Sequence, residues 1–435
     1  MKFTRIGLLI LSVLLCVALG VAFTACDSGD TPTDTTVADT PAPTDAPTEA
    51  PTDTPTEPET TEAPTEAPTE PEETEPPIVD VMVGETLDAP HATQFTVSNV
   101  FANDMVVQRN EHIRVWGWAD ASQNGKKVTG EFKGMFAEAI IENGAWEITF
   151  GARMEASAEL GHTMKIYADG VSYEFTDVLV GDVYMVMGQS NCAYTVHNHH
   201  LYVNTPDKGG KDVLDYNAPI RIHYNTQMQT QGYPKWGTEE VCLEVKSGST
   251  WQRADSYEDI ASFTAIGYLF AHNYVKLTDS KVPIGLIEID GNGRPLGAFM
   301  CNEVATEKGT DRFDSTKGYY VTTGVNADWG RYMYNHYMNP FERTALAGVI
   351  WYQGENETSG EHRNRAYADY LRFYHRVYAE KFAADPENFM MISSLIYPWV
   401  YGNAGECMRA YVNEAFVETA KESPDKFIIC PLDDL

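Results

Sequence analysis

From residue 178 onward, short apolar runs alternate with helix-length stretches of mixed polarity. The runs cover residues 183–187, 284–289, 346–352, 390–396 and 427–429. Each is nearly continuous in hydrophobic side chains, as in a strand covered on both faces. Separated by helix-length connections, they predict an α/β fold: a parallel sheet with flanking helices on both faces. One helix is expected over 367–382, where Tyr370, Leu371, Tyr374, Val377 and Tyr378 form a single stripe. Between Thr93 and Thr176 the pattern changes to short alternating segments at 105–108, 113–118 and 146–150. Turn residues separate them at Gln123-Asn124-Gly125 and Glu142-Asn143-Gly144. This pattern predicts a small N-terminal antiparallel β domain.

The first 90 residues follow neither pattern. Lys2 and Arg5 precede an apolar run over 6–22, followed by Phe23-Thr24-Ala25-Cys26. A cationic start, an apolar stretch and small residues before a cysteine read as an export signal. It resembles a bacterial lipoprotein signal with Cys26 as the lipidated residue, which would tie the chain to a membrane at the cell surface. Residues 31–77 repeat Pro-Thr-Glu/Asp-Ala units with almost nothing to bury, so an extended, solvated stalk is expected. The expected organisation is a signal over 1–26, a stalk over 27–80, a β-rich accessory domain over 81–177 and the α/β domain over 178–435.

Charge narrows the partners. Lys plus Arg number 31 against 63 Asp plus Glu, a net −32, and 16 of the carboxylates fall in 27–80 with no cation among them. Such a chain repels phosphate backbones, so no nucleic acid is expected as a partner. The seven cysteines are widely spaced and form no CxxC pair, so no metal site is read from them.

In an open parallel sheet, ligands bind beyond the carboxyl ends of the strands. Here those ends are polar and glycine-rich: Gly188-Gln189-Ser190-Asn191, Asp290-Gly291-Asn292-Gly293-Arg294 and Gln353-Gly354-Glu355-Asn356. A serine in a tight glycine-preceded turn, facing backbone N–H groups at a helix start, is placed for nucleophilic attack and acyl transfer. The same serine would serve equally as a helix cap.

Taken with Met105-Val106-Val107-Gln108-Arg109, Val115-Trp116-Gly117, the stretch 177–184 and Gly348-Val349-Ile350-Trp351-Tyr352-Gln353-Gly354-Glu355-Asn356, these fragments resemble the sialate O-acetylesterase family. That family belongs to the SGNH hydrolases, with a flavodoxin-like sheet, and is related to the acetylxylan esterases of carbohydrate esterase family six. The resemblance runs in order over about residues 96–435. It implies removal of O-acetyl groups from sialic acids or other acetylated carbohydrates, with no cofactor and no metal. Ser190 would be the nucleophile and Glu355 the acid that supports a catalytic histidine. Gln189, Asn191, Asn292, Gly293, Arg294 and Gln353 would form the oxyanion and substrate side. Gly291-Asn292-Gly293-Arg294 stands where the family usually reads Trp-Gly-Gly-Thr, which leaves the second oxyanion donor at Asn292 or Gly293 and brings Arg294 into substrate recognition.

The family's histidine follows a last strand, and here residues 427–435 resemble that strand and the start of its loop without a histidine after them. A sequence cut short is the simplest expectation; recruitment of His197, His199 or His200 is the other. An exported, tethered serine esterase is thus expected, and a non-catalytic glycan-binding lipoprotein on the same scaffold is the alternative.

Overall fold

The computed structural model describes residues 92–198, 216–225, 241–301, 332–359, 367–382, 384–396 and 409–430. The expected export signal with Cys26, the expected stalk, His199, His200 and the residues after 430 lie outside the described residues. The principal sheet has eight strands: β1 (Val106–Gln108), β2 (Leu179–Gly188), β3 (Ile220–Tyr224), β4 (Thr250–Arg253), β5 (Ile284–Asp290), β6 (Gly348–Tyr352), β7 (Met390–Ser394) and β8 (Phe427–Cys430). They lie in the order β4-β3-β5-β2-β6-β7-β8, with β1 paired to β2. Every pairing is parallel except that of β4 with β3.

Side chains of a strand alternate between faces, and the two cores of this molecule divide along that alternation. Tyr184, Val186, Leu286, Ile350 and Ile392 face one side with Tyr268, Ala271 and Val275 of helix α1 (Ala265–Leu277). Val183, Met185, Met187, Ile289, Val349 and Met391 face the other, with Tyr370, Leu371 and Tyr374 of α2 (Tyr367–Lys381) and Phe416 of α3 (Arg409–Glu422). All ten residues of β2 are buried, and the five residues of the expected α2 stripe are buried too.

Two antiparallel sheets precede β2. One joins Thr96–Val97, Arg114–Trp118 and Ala145–Thr149, and the other joins Lys127–Phe132, Met135–Ile140, Met164–Ala168 and Val171–Phe175. The Glu142–Ala145 hairpin turn has Asn143 at φ 51° and Gly144 at φ 76°. Two consecutive positive φ values are what a tight hairpin turn needs, and Asn-Gly supplies them.

Three features differ from the pattern-based expectation. The segment at 105–108, expected in the antiparallel domain, becomes β1 and pairs in parallel with Leu179–Gly181. This lengthens β2 upstream of the 183–187 run. The edge strands β3 and β4 were not among the predicted runs, because Arg221 and His223 interrupt the apolar sequence of β3 and Thr250–Arg253 contains one large apolar residue.

Within β2, Asp182 accepts from Arg109 Nε (2.9 Å), Arg109 Nη2 (2.8 Å), Gln108 Nε2 (2.9 Å) and Tyr274 Oη of α1. Burial pushes this carboxyl up, but the Arg109 guanidinium with the Tyr274 and Gln108 donors outweighs it and holds Asp182 below the usual range. Gln108 Oε1 also accepts from the Val183 N–H at 2.8 Å, fixing β1 to β2.

Candidate active site

The chain leaves β2 toward β3 on one side of the sheet and later crosses from β5 to β6 on the other. The strand order therefore reverses at β2, and a crevice opens over the carboxyl ends of β5, β2 and β6. The three strand-end segments meet there. The Gly291 N–H donates to Gly188 O (3.1 Å) and the Gln189 N–H to Tyr352 O (3.2 Å). The Asn356 N–H donates to Gln189 Oε1 (3.1 Å), and Asn356 Nδ2 to Gly293 O (2.8 Å).

Gly188 is compulsory at this junction. A Cβ there would sit 2.1 Å from Tyr352 O and 2.7 Å from the Cys192 Cβ. The chain turns sharply after it: Gln189 goes down, 5% exposed, and Ser190 comes up exposed. The expected helix start is instead a turn over 190–193, closed by the Ala193 N–H on Gln189 O at 2.9 Å. Ser190 is therefore not a helix cap. Among the described residues, Ser190, Asn292 and Gly293 spend none of their backbone N–H groups on one another or on a neighbour, so these donors remain open at the crevice. Gly293 carries the positive φ of the second loop, 67°, and Asn292 does not. The asparagine in place of a family glycine is thus accommodated without strain.

Beside Ser190, Asn191 Nδ2 donates to Glu355 Oε1. The other carboxylate oxygen, Oε2, is buried and has no hydrogen-bond partner among the described residues. Burial pushes Glu355 above the ordinary glutamate value, against the opposing pull of its backbone N–H and Asn191. An open acceptor on a carboxylate held by the residue after the serine suits the orientation of a protonated or N–H-bearing base.

Two candidates lie elsewhere than expected. Gln353, expected at the oxyanion, is fully buried beneath the crevice. Its Nε2 donates to Glu357 Oε2, to Arg294 O (3.2 Å) and to Gln189 Oε1 (3.4 Å), and its Oε1 accepts from Tyr367 Oη at 2.8 Å. Its amide is spent on holding the loops. Arg294, expected at the substrate, is 4% exposed and directs its guanidinium over the Tyr332 ring, 5.4 Å from the centroid. It packs inside instead of reaching into the crevice.

Several residues of the site's foundation carry no mark in the strand-end pattern. Glu357 is fully buried and also accepts the Leu296 N–H at 2.8 Å, so it ties the β5 loop to the β6 loop. Its signal was its place four residues after Gln353. Tyr367, at the start of α2, donates to Gln353 O at 2.8 Å and accepts from Trp351 Nε1 at 3.0 Å. Glu288 and Asp290 point together into the sheet face that carries α1. Burial, with the Asp290 charge acting on Glu288, holds the pair above the usual carboxylate range. Burial, then Asp290 and Glu288, push the neighbouring Cys192 thiol up, so it is an inert packing group beside the turn.

Among the described residues no histidine is hydrogen-bonded to Ser190. His197 Nδ1 lies 2.8 Å from Tyr257 Oη, His223 is sealed between Trp251 and Phe341, and His375 Nε2 meets Phe389 O at 2.9 Å.

Residues 180–385 match a family model described as carbohydrate esterase, sialic acid-specific acetylesterase. The human sialate O-acetylesterase is 27% identical over 186 residues, which is 41% of this chain and 32% of that protein. The chain therefore spans about a third of the human relative's length. A carbohydrate acetylesterase from Xanthomonas citri has a similar fold, with a TM-score of 0.58 and 21% identity over 77% of this chain and 67% of its own.

Proposed function

We propose that this chain, a member of the sialate O-acetylesterase family of carbohydrate esterases, removes O-acetyl groups from sialic acids or other acetylated glycans with Ser190 as nucleophile. The observation that carries this reading is the exposed Ser190 at the reversal of strand order, with backbone N–H groups of Ser190, Asn292 and Gly293 left unbonded at the converging strand ends and the Glu355 carboxylate held by the adjacent Asn191.

The Ser190 hydroxyl attacks the acetyl carbonyl and passes its proton to a general base, the part that the family resemblance gives to a histidine. Glu355 Oε2 is the acceptor that orients this base. The tetrahedral oxyanion takes hydrogen bonds from the Ser190 N–H and from the Asn292 or Gly293 N–H, donors fixed before charge develops. Collapse releases the sugar hydroxyl, which recovers the proton, and water then hydrolyses the acetyl-serine by the same steps reversed. Export and a lipid on Cys26 are part of the proposal, supported by the order of cationic, apolar and small residues before that cysteine.

The test is acetate release from an acetylated aryl ester and from O-acetylated sialic acid. Ser190→Ala is expected to lower turnover by about 10⁴-fold or more. Equal activity of the alanine variant removes Ser190 from the mechanism, and glycan retention without acetate release in the unaltered chain would mark a binder.

A further inference from the structure

Apart from the crevice, a second group of chemistry-bearing side chains meets at Cys242. Its Sγ lies 3.1 Å from Lys246 Nζ and 3.4 Å from His336 Nδ1. The other cysteines of the described residues, Cys192, Cys301 and Cys430, are buried, whereas Cys242 is only half-buried. Lys246 forms no ion pair among the described residues, so its ammonium donates to sulfur and not to a carboxylate.

The thiol is held rigidly. The Cys242 N–H donates to Asn335 O at 2.8 Å, and Cys242 O accepts from Asn339 Nδ2 at 3.1 Å. The segment that grips it, Tyr334–Met338, is a π-helical turn. Such turns are uncommon and are found at functional positions more often than elsewhere. The turn places His336 against the sulfur, and the Tyr332 ring lies 4.8 Å from the imidazole, fixing its plane.

We propose that Cys242, Lys246 and His336 form a nucleophilic thiol site, separate from the esterase crevice, that reacts with hydroperoxides. His336 Nδ1 takes the thiol proton, and the sulfur attacks the outer oxygen of ROOH. The S–O bond forms as the O–O bond breaks. The departing alkoxide is protonated from the imidazolium or the Lys246 ammonium, so the sum is Cys–SH + ROOH → Cys–SOH + ROH. Sulfur loses two electrons and the peroxide gains them. The ammonium stabilises the negative charge that passes from sulfur to the leaving oxygen, which a lone half-buried thiol has no means to do.

The experiment exposes the full chain to hydrogen peroxide with a sulfenic-acid trap and follows each cysteine-containing peptide by mass spectrometry. The same chain unfolded in denaturant is the reference for an unassisted thiol. Cys242 is expected to be trapped about tenfold faster in the folded chain than in the unfolded one, with Cys192, Cys301 and Cys430 protected. Lys246→Met and His336→Ala should each slow it several-fold, and Lys246→Arg should restore most of the rate by keeping the cation. A folded-state rate equal to or below that of the unfolded chain overturns the proposal, as does a rate indifferent to both Lys246→Met and His336→Ala. The first comparison stands even if a variant fails to fold.

Discussion

Gln353 has no exposed atom, yet its amide touches all three loops of the crevice. Truncation to alanine would leave the buried Glu357 carboxylate with one donor fewer, a loss of about 2–3 kcal/mol for a charged group. Gln353→Ala should therefore lower the urea midpoint and depress kcat while leaving KM nearly unchanged; a rise in KM at constant kcat would indicate direct sugar contact instead. Glu355 behaves differently. Burial raises its proton affinity, so the acidic limb of kcat/KM should lie above the pH at which a solvated glutamate titrates, with activity lost as pH falls through it. Glu355→Gln should remove that limb and lower kcat/KM by about 10²- to 10⁴-fold. Because a raised carboxyl disfavours the ionised fold, the same change should not reduce the melting midpoint at pH 7, which separates a catalytic loss from a structural one.

At the scale of elements, β2 does two jobs: it ends in the Ser190 turn and begins in the Arg109–Asp182 clamp. Removing Arg109 strands a buried carboxylate, which costs about 3–5 kcal/mol. The pH dependence has a defined sign. Asp182 is held below its unfolded value of about 3.9, so its contribution is complete above that pH and is lost as pH falls through the lower folded value. Melting of the unaltered chain should drop on acidification through this window, while Arg109→Ala should melt early at neutral pH and lose little more in acid. The apolar runs that became β2, β5, β6, β7 and β8 were legible because strands buried on both faces have no polar choice left to make. The strands at the far edge were not, since β3 carries Arg221 and His223 inward and β4 packs chiefly through Trp251. The parallel pairing of β1 was hidden for another reason: a three-residue alternating segment has no feature that sets its direction. At the crevice, the exposure of Ser190 followed from the glycine turn. The inward aim of Gln353 and Arg294 depended on cross-loop partners that spacing along one strand end does not reveal.

At the scale of the whole chain, half of the net charge of −32 falls on the first 91 residues. On the proposed lipid anchor, Cys26→Ser should move the protein from the membrane fraction to the soluble exported fraction, with acetate release per molecule unchanged. A variant that stays with the membrane would point to an uncleaved apolar anchor over residues 6–22. On the proposed stalk, repulsion among the 16 carboxylates of residues 27–80 would extend the segment, so shortening it should affect reach to surface-bound substrate more than turnover of a soluble ester.

The shared strand also limits how the protein can be dissected. A fragment beginning at residue 178 would keep Ser190, Glu355 and every loop of the crevice, and would still lack Gln108 and Arg109. It would strip Leu179–Gly181 of both β1 and the Ser157 bridge, and leave the Asp182 carboxylate with only Tyr274. The antiparallel sheets are thus no detachable appendage, and a minimal fragment that keeps the crevice must begin upstream of Val106.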